Sequence, residues 1–362
     1  MSIVTKFLKL FEYDPETDGA STFNIPKALN ENWDKIDAWA SGIKDTIAGL
    51  VPSTRTINKK PLSADVTLTG EDIKVTGSDE TTIHTRLSEL TNPNLLDNWY
   101  FGNPVNQRAA SEYSGSWSYC IDRWVAEGII TVGKEGVSAS SRDASNPAYF
   151  LQRFEHFPDG RQVTFSLLTD NKLYAITGVK NGEMGFSKTF DDGVILSVEH
   201  GTPVYAAVSF PPGKTYQMIA TKLEFGSQQT LAHQENGKWV LNEIPDYGEQ
   251  LAKCQRYYCT SYQNGPVGTP EKYLNEIVMT AISQINFSTR EIQFPQTMRT
   301  TPAITFYSPV TGNVGKAAKA GGGEVDIKEM IGGKNRMSFF CSSNNLDIGY
   351  EYYVHYSASA DL

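Results

Sequence analysis

Val194-Ile-Leu-Ser-Val-Glu199, Val204-Tyr-Ala-Ala-Val-Ser-Phe210 and Thr215-Tyr-Gln-Met-Ile-Ala-Thr-Lys-Leu-Glu-Phe225 follow one another with four residues between each pair. Each run is rich in β-branched and aromatic residues, and each is punctuated by Pro, Gly or an Asp-Gly dipeptide. They read as three consecutive strands. Working upstream, further strands are expected near 99–101, 121–132, 148–156, 162–168 and 173–180. Asp159-Gly160, Asn181-Gly182, Asp192-Gly193 and Pro211-Pro-Gly213 mark the loops. Eight strands at this spacing, with no helix-period run between them, predict a β-sandwich or jelly roll across residues 94–245. Trp99 and Trp124 sit inside apolar strand patterns and are assigned to its core.

Downstream, Tyr247, Leu251, Cys254 and Tyr257/Tyr258 recur at helical spacing over 246–261. A second β region then fills the rest of a 246–362 module. Its strands are expected near 272–287, 290–294, 302–308, 325–330, 336–342 and 348–357, with Gly321-Gly-Gly323 as a flexible loop or tight turn.

Upstream of the sandwich lies the clearest helical signal. Asn24 caps, and Pro26 occupies a first turn where its missing N–H costs nothing. Leu29, Trp33, Ile36, Ala40, Ile43, Ile47 and Leu50 then fall at steps of 4 and 3, a heptad seam. Trp33, Ala40 and Ile47 take a positions; Leu29, Ile36, Ile43 and Leu50 take d. Isoleucine at d favours three or four strands over two, so residues 24–51 are expected to form a trimeric coiled-coil helix roughly 33 Å long. The competing reading is one amphipathic helix lying on a domain. Gly42 weakens the helix by about 1 kcal/mol. Residues 1–23 read as an attachment arm that orders on a partner. Residues 52–93 read as a short β shaft: 54–58 and 62–68 alternate around a Lys-Lys-Pro turn, and Ile83, Leu87 and Leu90 make a second short seam before Pro93. The predicted class is therefore mainly β, with an N-terminal trimeric coiled coil, a short β shaft, a jelly-roll β-sandwich and a C-terminal β tip domain.

Composition narrows the function. The 362 residues carry 32 Lys and Arg against 41 Asp and Glu, a formal net charge of −9. No run of basic residues exceeds Lys59-Lys60, so there is no footprint for nucleic acid, and acidity disfavours an anionic membrane surface. No apolar run approaches the roughly 18 residues of a membrane span. The first ten residues lack the apolar core and cleavage site of a signal peptide, so export by that route is not expected. Cys120, Cys254, Cys259 and Cys341 have no metal-site spacing and are expected as free thiols.

Several stretches resemble phage and prophage tail-fibre proteins. Phe23-Asn-Ile-Pro-Lys-Ala-Leu-Asn-Glu-Asn-Trp-Asp-Lys-Ile-Asp37 is similar to the segment that opens many such fibres, and 55–68 to their recurring shaft element. Residues 94–108, with Tyr119-Cys-Ile-Asp-Arg-Trp124, resemble the start of a galactose-binding-like jelly roll, and 222–230 its closing strand. Residues 254–258, 294–299 and 302–308 resemble the tip domain that often follows. The resemblance implies a homotrimeric fibre of a virion or tail-like particle, made in the host cytoplasm. Its arm would dock on a baseplate or tail protein, and its heads would adhere to a bacterial surface glycan. The single shaft element implies a stubby fibre.

Sugar recognition uses flat aromatic faces beside amide and charged side chains in loops. Tyr113, Trp117 and Arg142 lie in the loop-rich opening of the sandwich; Tyr262, Asn264, Tyr273, Asn344 and Asn345 lie in loops of the C-terminal module. These are the glycan-binding candidates, against the alternative that each aromatic packs in a core or between subunits. No nucleophile elbow, phosphate loop or metal-ligand spacing is present, so no catalytic residue, metal or cofactor is assigned. A polysaccharide hydrolase would need paired carboxylates, for which Asp191, Asp192 and Glu199 are available. A purely structural particle component is the third reading.

Overall fold

The computed structural model describes all residues except 1–2, 15, 21, 51–55, 58–59, 62–66, 70–71, 74–91, 171, 273, 289–290 and 343–344. The chain divides into two compact units, Met1–Leu87 and Ser88–Leu362.

In the first unit, β1 (Ile3–Val4) and β2 (Phe11–Glu12) pair antiparallel, and α1 spans Glu31–Leu50. Asn24 Oδ1 accepts from the Lys27 N–H at 3.0 Å, the expected cap. The chain enters α1 through a wider turn, Pro26–Asn30, so Leu29 stands on that turn and not on the α-helix proper. The arm folds back onto the helix: Asn32 donates to the Phe11 carbonyl at 2.9 Å and accepts from the Phe11 N–H at 2.6 Å. The α1 stripe stands in solvent within the chain: Trp33 is 64% exposed and Ile47 62%. β3 (Thr56–Ile57) and β4 (Lys60–Pro61) follow. Thr56 pairs with Pro61 and Ile57 with Lys60, so Lys60 and Pro61, expected in a turn, form the second strand. Most of the expected second strand (62–66) and the seam at Ile83, Leu87 and Leu90 lie outside the described residues.

The second unit opens with the sandwich. Its strands are β5 (Glu112–Tyr113), β6 (Ser118–Tyr119), β7 (Trp124–Glu127), β8 (Ile129–Gly133), β9 (Gly136–Ser140), β10 (Ala148–Arg153), β11 (Gln162–Thr169), β12 (Leu173–Val179), β13 (Phe186–Thr189), β14 (Ile195–Glu199), β15 (Tyr205–Phe210) and β16 (Thr215–Phe225). They form two six-stranded antiparallel sheets, ordered β13-β14-β15-β10-β7-β6 and β12-β11-β16-β9-β8-β5. Inward residues of both build one core, where Trp124 stacks on Phe150 at 4.4 Å and Phe101 meets both edge-on. Trp99 is buried in this core, but from a loop: residues 99–101 make one isolated bridge, Tyr100 to Ala220, instead of a strand. The run 121–132 is broken at Gly128, whose positive φ of 126° turns β7 into β8. A hairpin, β17 (Ala232–Glu235) with β18 (Lys238–Leu241), closes the segment.

α2 (Tyr247–Gln255) is capped by Asp246, which accepts from the Glu249 N–H at 2.9 Å. The helix stops earlier than its spacing suggests, and Tyr258 enters β19 (Tyr258–Thr260) instead. The remaining strands are β20 (Ile277–Thr280), β21 (Ile292–Gln293), β22 (Ala303–Tyr307), β23 (Lys316–Lys319), β24 (Glu324–Gly332), β25 (Arg336–Cys341) and β26 (Glu351–Ser359). β26 is the hub, pairing with β19, β20, β22 and β23. Phe287, Phe306, Phe339, Tyr352 and Val354 centre a second core.

The two cores are locked together through polar groups. Arg108 donates to Asp122 at 2.8 Å and to Asp361 at 2.6 Å, while its guanidinium lies 3.9 Å from the Tyr258 ring. Arg153 and Tyr119 both donate to the Leu362 carbonyl, at 2.6 and 2.5 Å. Burial pushes the Asp122 carboxyl up to about 6, even with Arg108 pulling it down.

Candidate functional site

The alternation of β10, β14 and β15 sends Phe150, Leu196, Val198, Ala206 and Val208 into the core. The opposite face carries Tyr149, Leu151, Ile195, Ser197, Glu199, Tyr205, Ala207 and Ser209. Register sets these in rungs. Leu151 faces Ala207, which faces Ser197; Tyr149 faces Ser209, which faces Ile195; Glu199 faces Tyr205. β13 adds Ser187 and Thr189 at one side, and Trp117, just before β6, rises at the other.

The result is a groove of about 320 Å³ across the outer face of the sheet. Its floor is small and apolar: Leu151 and Ala207 cluster with Val125. Its aromatic wall is Trp117 against Tyr149, with ring centroids 5.2 Å apart and a 34° tilt. Trp117 is 51% exposed, and its φ of +48° lies in the left-handed region, which is costly for a bulky side chain. A non-glycine residue held in this region costs roughly 1–3 kcal/mol. The hydroxyls of Ser187, Thr189, Ser197 and Ser209 and the Glu199 carboxylate form no side-chain hydrogen bond or ion pair among the described residues. Burial and the neighbouring Glu199 charge raise the Tyr205 phenol above its ordinary pKa. An aromatic wall facing uncommitted hydroxyls and one carboxylate suits a polyol with an apolar C–H face.

Of the predicted residues the groove takes in Trp117, while Tyr113, Arg142, Tyr262, Asn264 and Asn345 lie elsewhere. Arg142 pairs with Glu127 at 3.3 Å and lines a separate depression with Asp143 and Lys214. Tyr113 is half-buried on β5, its hydroxyl donating to Asn106. Tyr262 corrects the expectation of a glycan-facing ring: it is 7% exposed and stacked 4.4 Å from His355. Asn264 is exposed, its N–H held by Glu271 at 3.0 Å, and Asn345 accepts from the Cys341 thiol. Tyr273 and Asn344 lie outside the described residues. Of the seam, Ile36 is half-buried, Leu29, Ala40 and Ile43 are exposed like Trp33 and Ile47, and the Leu50 side chain is not described.

Tyr149, Tyr205, Ser197 and Ser209 are not singled out by the sequence reading. Their signal is the second period of the strands: Tyr205, Ala207 and Ser209 alternate with the apolar core residues.

Of the hydrolase carboxylates, Asp192 is committed, accepting from Lys172 at 2.9 Å and Tyr174 at 2.8 Å, and Glu199 stands in the groove. The buried Ser261 hydroxyl lies 3.0 Å from His355 Nδ1 and accepts from the Tyr356 N–H at 2.9 Å. Both side chains are closed to solvent, so this pair is a core hydrogen-bond network. Among the described residues no cluster of three or more His, Cys, Asp or Glu is placed to hold a metal, and no helix is long and apolar enough to cross a membrane. All four cysteines are buried without a disulfide; burial pushes Cys120 and Cys259 up to about 12.

No protein-family model and no curated protein matches the sequence. Two solved structures of discoidin II from Dictyostelium discoideum, the recombinant and the wild-type protein, are 10% and 11% identical to this chain, with TM-scores of 0.18 and 0.17. Each alignment covers 61% of this chain, and 80% and 79% of discoidin II respectively. At such scores the likeness carries no argument about fold or ligand.

Proposed function

We propose that this chain is a glycan-binding adhesin of the phage tail-fibre type, whose sandwich groove holds a bacterial surface glycan. The observation that carries this is the strained, half-exposed Trp117 set against Tyr149, opposite four uncommitted hydroxyls and Glu199. Binding is favoured over hydrolysis because Glu199 is the one carboxylate among the described lining residues, whereas glycoside hydrolysis uses two. The exposed apolar stripe of α1, at heptad spacing, supports assembly into a homotrimer. Three heads then act together, and avidity multiplies a weak single-site affinity by roughly 10²–10⁴. In this reading the arm docks on a baseplate or tail protein, the C-terminal module is the distal tip, and the chain is part of a virion or tail-like particle.

The test pairs two measurements on the intact protein. Light scattering is expected to give three times the 40.1 kDa chain mass, falling to one in the variant Ile36→Asp/Ile43→Asp. An array of bacterial surface polysaccharides is expected to retain the protein without releasing oligosaccharides. A monomeric wild type removes the trimer from the account, and released oligosaccharides replace adhesion with hydrolysis.

A further inference from the structure

The C-terminal module holds a larger pocket than the groove, about 610 Å³, within the roughly 300–1,000 Å³ typical of small-ligand sites. It lies beside the β23–β24 turn. One wall is bare backbone. Gly321, Gly322 and Gly323 have φ of +85°, +114° and +93°, and a Cβ at each would meet nothing within 4 Å. These three glycines line the pocket with backbone and no side chain of their own, so a ligand can lie against their main-chain groups.

The charged groups of the lining are balanced and mostly held in place. Glu324 accepts from Thr311 at 2.5 Å and from Asn313 at 3.2 Å. Lys319 pairs with Asp347 and lies 4.1 Å from the Tyr350 ring. Lys272 is exposed and has no hydrogen bond or ion pair among the described residues. Glu276 completes two lysines and two glutamates, and Tyr353 contributes a ring. With two lysines and two glutamates, the lining favours neither an anion nor a cation. A hydroxyl both donates and accepts, so it satisfies either sign.

We infer that this pocket is a glycan site in its own right, for a neutral hexose or N-acetylhexosamine unit. The inference is independent of the groove and stands if the groove binds nothing.

The experiment is methyl NMR of the full chain carrying labelled alanine methyls and labelled tryptophan indoles. The probes are methyl glycosides of galactose, glucose and N-acetylglucosamine, with glucuronate as the charged control, each at tens of millimolar. The Ala318 methyl is expected to shift with at least one neutral glycoside. That shift disappears in Ala320→Phe, which fills the pocket, and weakens several-fold in Lys272→Ala, with melting unchanged in both. Shifts at the Trp117 indole without Ala318 overturn the second site and leave the groove. Ala318 shifts without Trp117 do the reverse. Shifts at neither refute both, and an Ala318 response to glucuronate alone overturns the neutral-ligand assignment.

Discussion

Arg108 is the residue whose loss tests how the sandwich and the C-terminal core are joined. Its guanidinium neutralises two buried carboxylates from opposite sides of the junction, Asp122 at 2.8 Å and Asp361 at 2.6 Å. Arg108→Met keeps the volume and leaves both carboxylates without their cation. Removing one partner of a buried ion pair costs about 3–5 kcal/mol. For a unit of this size that is a fall of roughly 6–20 °C in melting temperature. The cost depends on pH with a definite sign. The folded pKa of Asp122 is raised to about 6 from 3.8, so its contribution to stability is full below the lower value and is lost as pH rises through the upper. Asp361 is raised in the same direction, also by burial. Arg108 pulls both down, so its removal raises both further. The variant's deficit is therefore larger at about pH 7.5 than at about pH 4.5, where protonation of Asp122 removes the charge that Arg108 offsets. Thermal melts of both proteins at the two pH values measure it. A deficit below about 1 kcal/mol at the higher pH, or the same deficit at both, refutes this reading of the junction.

Other substitutions separate strain, capping and packing. Trp117→Gly relieves a left-handed backbone by about 1–2 kcal/mol and loses a ring contact of about 0.5–1.5, so denaturant unfolding is expected within about 1 kcal/mol of wild type. A loss above about 2 would mean that Trp117 serves the core. Asp246→Ala removes the cap of α2 and costs about 1 kcal/mol in the same assay; no change would mean that the junction alone holds the helix. Phe150→Ala opens the stack on Trp124 and costs about 3–5 kcal/mol, with loss of the near-UV dichroism of the stacked indole.

The mainly β architecture was legible because its central strands are long and apolar: 162–168, 173–180, 204–210 and 215–225 lie within a residue of the observed elements. The strands not anticipated are short, small or polar. Gly136–Ser140 and Lys316–Lys319 carry no bulky periodicity, and β17 and β18 are held by a hairpin turn. The opposite error came where apolar density marks burial and not strand: Trp99 and Phe101 fill the core from a loop. Trp117 was legible as an aromatic among turn residues. Tyr262 has the same surroundings in sequence, but His355, far along the chain, packs on it. The rest of the groove was hidden because Ser, Ala and Tyr on the outward side of a strand look like any half-buried face. Only the register reveals that four strands bring them together.

The central claim is that the sandwich groove binds glycan through Trp117. Its most direct test is binding of the intact protein to an array of bacterial surface polysaccharides, with Trp117→Ala and Glu199→Gln beside wild type. The account predicts specific retention of wild type. It predicts a loss of at least about 30-fold in Trp117→Ala, the scale of a buried aromatic anchor of 2 kcal/mol, and a smaller loss in Glu199→Gln. Retention that survives both substitutions would contradict it.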